Sequence, residues 1–158
     1  MIRTKIILLL TLMSAHAVAL ASNVLTWEIK QDMDTSYEVV KNALEENRFY
    51  VVFEPNIHAN LEGFSERWGE NYNRNKLEGF RAMIFCNGWY ANEVSNKDPE
   101  MLALCPLHIS LIQKNGHTKI LFAKPSVIAQ GSNALEIATE IENAVVEALD
   151  NAVSSLSK

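Results

Sequence analysis

Residues Leu107 to Lys124 read LHISLIQKNGHTKILFAK, and their reading decides the fold. Two alternating runs, LHISLIQ and KILFAK, flank Lys114-Asn115-Gly116-His117. Asn-Gly between such runs is the strongest short-range sign of a hairpin, because a tight turn matching the strand twist needs residues that accept positive φ. The spacing therefore predicts two paired antiparallel strands. Upstream, GFRAMIFC (Gly79 to Cys86) is apolar enough for another strand, and GWYANEVSNK reads as a short helix ended by the Asp98-Pro99 breaker. Downstream, Ser132 is a candidate N-cap, and Ala134, Ala138, Ile141, Val145, Leu149 and Ala152 stripe one face of a long helix.

The N-terminal half completes the order. VLTWEIK alternates with Leu25, Trp27 and Ile29 on one face and predicts a first strand. DTSYEVVKNALEENR follows, with Thr35 and Glu38 in capping-box register and Tyr37, Val40 and Leu44 as a helical stripe. RFYVVFE is β-branched and aromatic and stops at Pro55. Leu61, Phe64, Trp68 and Tyr72 then recur at helical spacing around Gly63 and Gly69, as a weak helix or a lid. The expected fold is α+β: one antiparallel sheet of order β-α-β(4)-α, its two main helices on one face and short helical insertions between strands.

Residues 1–21 have the order of a signal peptide: Arg3 and Lys5, an apolar run from Ile6 to Leu10, then small-residue triplets with the best cleavage site after Ala21. The run is shorter than the roughly 20 residues of a membrane helix. This predicts export, to a periplasmic location, of a single domain over residues 22–158, with no stable membrane insertion after cleavage. Removal of Arg3 and Lys5 moves the formal net charge from -5 to -7. An acidic chain without a basic cluster argues against nucleic acid as a partner.

GFRAMIFCN, then DPEMLALCPLHISL, the Asn-Gly hairpin and the closing helix together resemble the domain of unknown function 302 family. That family's pattern is a strand ending in Cys-Asn-Pro, a short helix, a Pro-Cys or Cys-Pro element opening the next strand, a hairpin and a final helix. The resemblance runs from Thr26 to Val153 and is carried by Cys86-Asn87 and Cys105-Pro106. Gly88 stands where the family usually has Pro, and Cys105-Pro106 reverses the commoner order. The resemblance implies an arrangement similar to the TATA-box-binding protein, often dimeric, and no established activity, which fold analogy alone does not supply.

Nucleotide-loop, metalloprotease, nucleophile-elbow and CxxC motifs are absent from the sequence. Catalysis is therefore not the expectation, and no catalytic residue is assigned. Cys86 ends one predicted strand and Cys105 opens the next, so antiparallel pairing places both thiols at one end of the sheet. A bridge would close a loop of about 20 residues and stabilise by ~3 kcal/mol on a chain-entropy account. The alternatives are two unpaired buried thiols, or thiol redox or sulfur-handling chemistry by the same pair. His117 reads as a solvated turn residue.

Both faces of the central strands look too apolar to stand in water, whereas a one-sided antiparallel sheet alternates cleanly. If Leu25, Trp27 and Ile29 meet the helices, the second set comprises Tyr50 and Val52, Met83 and Phe85, Leu121 and Ala123, and Ile112 beside His108 and Ser110. Its expected cover is a second copy of the chain, giving a homodimer, or the Leu61 to Tyr72 lid. A sharper reading is a small flat apolar ligand such as haem, held by His108 as axial ligand with Met83 or Met101 assisting. The candidate ligand-binding residues are thus His108, Met83, Phe85 and Tyr50, with His108 also the weak candidate for a metal. A purely structural interaction module is the remaining alternative. By period-two counting His108 lies across its strand from Cys105, which predicts that cysteines and histidine do not share a site.

Overall fold

The computed structural model describes residues 22–156, and the predicted signal segment, residues 1–21, lies outside them. The strands are β1 (Val24–Ile29), β2 (Tyr50–Phe53), β3 (Gly79–Cys86), β4 (Leu107–Lys114) and β5 (His117–Ala123). The helices are α1 (Met33–Glu46), α2 (Ile57–Glu62), α3 (Ser65–Trp68), α4 (Gly88–Lys97), α5 (Pro125–Ile128) and α6 (Leu135–Leu156). The sheet order is β1-β5-β4-β3-β2, with every neighbouring pair antiparallel. This is the predicted α+β sheet.

The hairpin forms as its turn chemistry requires. Lys114 pairs with His117, and Asn115 and Gly116 take φ of 54° and 73°. Both turn amides also donate to the Glu78 carboxylate, at 2.8 and 3.0 Å, which ties the hairpin tip to the segment entering β3. α1 starts earlier than the Thr35–Glu38 register suggests. Its N-cap is Asp32, whose carboxylate accepts from the Thr35 N–H at 2.9 Å and from its hydroxyl at 3.0 Å. An aspartate outranks threonine as a cap because its charged oxygens face the positive end of the helix dipole.

α1 and α6 pack against one another and against the same face of the sheet. The core between them takes Tyr37, Val40 and Leu44 from α1, and Ile141, Val145 and Leu149 from α6. Trp27 at the β1 edge donates its indole N–H to Asp150 of α6 at 2.6 Å.

The sheet contributes Ile29, Met83, Phe85, Ile109, Leu111, Ile120 and Phe122 to that core. Met83 and Phe85 therefore do not belong to the second face on which Tyr50 and His108 were expected beside them. Met83 pairs with Ile109 and Phe85 with Leu107, and both side chains are fully buried under the helices. The alternation of β3 is apolar on both sides, so its sequence holds no sign of which set is inside.

Candidate functional site

The face turned away from α1 and α6 is built by period-two alternation from known pairings. Ile84 lies opposite His108, Ala82 opposite Ser110 and Phe80 opposite Ile112. Ser110 in turn lies opposite Leu121. Tyr50 pairs with Cys86, which puts the phenol and that thiol on this same outer face. The central outer positions Ile84, Ile112 and Leu121 are half-buried, while His108, Lys119 and Ala123 are exposed.

The two ends of the face differ. Between β2 and β3 the chain inserts α2 and α3, and this insertion closes over the Phe80 end. Phe64 and Trp68 stack there with centroids 5.0 Å apart. A cavity of about 320 Å³ opens between insertion and sheet, lined chiefly by His58, Leu61, Trp68, Tyr72, Leu77 and Phe80. The helical spacing of Leu61, Phe64, Trp68 and Tyr72 read as a weak helix or a lid, and the segment forms the two short helices α2 and α3. His58 and Phe80 were missed, since only the folded chain brings them to it.

At the opposite end, β2 carries a register shift between Val51 and Phe53. The extra residue of such a bulge breaks the in-out alternation. Val52 and Phe53 are consequently both exposed, at 63% and 62%, beside Tyr50 at 59%. Tyr50 also borders a second cavity, of about 450 Å³, with Asn47, Arg48, Asn87, Trp89 and Glu147 on its walls. Trp89 is 68% exposed and was not singled out from the sequence.

Cys86 and Cys105 are free, half-buried thiols that face one another. Burial above all, then the charge and hydrogen bonding of Cys86, push the Cys105 thiol up to about 11. The antiparallel β3–β4 pairing brings the cysteines to one end of the sheet, as the spacing predicted. The expected separation from His108 is different for the two. Cys86 is two residues beyond Ile84, the partner of His108, and so occupies the same outer face. Counting from His108 back to Cys105 does not work because β4 begins only at Leu107, after the cis Cys105–Pro106 peptide. Among the described residues, no three His, Cys, Asp or Glu side chains are grouped to hold a metal ion. No described helix is long and apolar enough to cross a membrane.

The predicted residues thus divide: Tyr50, His108 and Cys86 share the outer face, Cys105 adjoins Cys86, and Met83 and Phe85 lie in the core. Comparison with known proteins places the whole arrangement. Among curated proteins none matches the chain. Among solved structures, the crystal structure of an uncharacterized conserved protein DUF302 from Bacillus stearothermophilus is similar over 82% of this chain and 98% of its own, with a TM-score of 0.70 and 23% sequence identity. At that identity the likeness establishes the fold. The profile of the family described as "Domain of unknown function DUF302" matches residues 25–155, nearly the whole described chain, and the chain belongs to that family.

Proposed function

We propose that this chain is an exported binding module that works as a homodimer through its outer sheet face and holds a small apolar ligand there. The observation that carries the reading is the apolar outer face itself, over which, among the described residues, only the α2–α3 insertion at its Phe80 end packs. Ile84, Ile112 and Leu121 form its centre, and Tyr50, Val52 and Phe53 extend it at the β2 edge. Apolar area of this kind on a soluble protein marks an interaction surface. A symmetric partner laid across it buries the centre with β2.

The ligand-binding part of the reading has support at two places. The cavity beneath the insertion has a small volume and apolar and aromatic walls from Leu61, Trp68, Tyr72, Leu77 and Phe80, with His58, Asn71, Asn73, Arg74 and Asn75 as its polar lining. His108 stands on the open part of the face next to Ile84, where its imidazole is available to a flat apolar molecule such as haem. Protein isolated from its native compartment tests both parts through its native mass and optical spectrum. A dimer carrying a chromophore whose band is lost in His108→Ala is the expected result. A monomer with no absorbance beyond its aromatic side chains contradicts the reading.

A further inference from the structure

We propose that Cys86 and Cys105 form a reversible dithiol–disulfide couple that exchanges with low-molecular-weight disulfides at the open end of the outer sheet face. This stands independently of the dimer and of any apolar ligand. Phe85–Leu107 is the last pair of the β3–β4 ladder, so Cys86 leaves the ladder where Pro106 enters it, with Cys105 one residue behind. The two sulfurs belong to the two chains of one antiparallel pair, just where it ends.

Each cysteine is held by a capped element. Asn87 caps α4 by accepting from the Trp89 and Tyr90 N–H groups at 3.0 and 3.2 Å, which fixes the chain leaving Cys86. On the other side, Asp98 accepts from the Glu100 N–H at 3.1 Å, and the Cys105 N–H closes the following turn onto the Leu102 carbonyl at 2.9 Å. The segment between the cysteines is therefore structured, and bringing the sulfurs together does not require ordering a loose loop. Half-burial leaves the pair reachable by a small molecule while keeping it in register.

The exchange balances as follows. The Cys86 thiolate attacks one sulfur of RSSR, forming a mixed disulfide and releasing RS⁻, which takes up the proton that Cys86 gave to solvent. Cys105 then loses its proton to solvent and attacks the Cys86 sulfur, expelling the second RS⁻, which is protonated in turn. The protein loses two protons and two electrons, together two hydrogen atoms, and RSSR leaves as two RSH. Cys86 makes the first attack because it lies on the outer face beside Tyr50, while burial and the neighbouring thiol hold Cys105 protonated until the mixed disulfide has formed.

The test uses the reduced full chain, equilibrated under native conditions in mixtures of reduced and oxidised glutathione. The reaction is then quenched with acid and the free thiols alkylated for intact-mass analysis. Both thiols should disappear together, with loss of two hydrogens and no retained glutathione. Cys105→Ser should stop at one glutathione on Cys86, and Cys86→Ser should react at least about tenfold more slowly. Alanine variants at the same positions supply these readings if a serine variant lacks the native circular dichroism spectrum. Stable glutathione adducts on both cysteines, cross-linking between chains, or two alkylatable thiols at the most oxidising mixture would each overturn the proposal.

Discussion

Phe85 and His108 lie on opposite sides of the same strand pair, and alanine at each position separates core from outer face. Phe85 is fully buried against Phe49 and Phe122, with ring centroids 5.9 and 6.5 Å away. Phe85→Ala removes those contacts and leaves a cavity, so urea unfolding should show a loss of about 3–5 kcal/mol. His108→Ala, at an exposed position, should stay within about 0.5 kcal/mol of the parent. Equal losses would place both residues in one layer and contradict the register. A second prediction concerns Tyr37, whose hydroxyl donates to the Ala82 carbonyl at 3.3 Å and whose ring lies 3.6 Å beneath the Arg81 guanidinium. Burial first, then Glu54, pushes its phenol up to about 12 from 10.0. The unfolded chain releases this proton more readily than the folded one, so the contribution is complete below pH 10 and is lost as pH rises towards 12. Alkaline titration of tyrosinate absorbance should show one group ionising only with unfolding, and Tyr37→Phe should abolish that late step. Ionisation of every tyrosine in the folded state would contradict it.

At the scale of elements, what the sequence disclosed depended on how local the determining contacts are. The β4–β5 hairpin was legible because two adjacent residues, Asn115 and Gly116, carry the turn. Gly116 has open space around its Cα, with nothing within 4 Å of an added Cβ, so its requirement is φ of 73° alone. Gly116→Ala should accordingly cost about 1 kcal/mol through backbone strain, measurable as a lowered thermal midpoint. A neutral or stabilising substitution would show that the turn readily takes another form. The face assignment of β3 was not legible, because Ala82 and Ile84 are as apolar as Met83 and Phe85 and only pairing across to β4 decides between them. The start of α1 was misjudged by choosing one capping pattern where Asp32 offered a stronger one. Likewise the His58–Phe80 cavity joins residues from α2 and β3, and no periodicity within either segment encodes that approach.

For the whole molecule, a five-stranded sheet with α1 and α6 on one side leaves the fate of its other side as the functional question. Among the described residues the insertion covers the Phe80 end, and the area from Ile84 and His108 to Leu121 and the β2 edge is what a second copy would cover. Leu121 is the place to intervene. It is half-buried on the outer face between Thr26 of β1 and Ser110 of β4, so a charge there faces away from the core. Sedimentation velocity of residues 22–158 and of the same chain with Leu121→Glu at micromolar concentration is the most direct measurement. If the outer face is the interface, the parent sediments as a dimer and the variant as a monomer with unchanged circular dichroism; a monomeric parent, or a dimer that survives the substitution, would contradict that role.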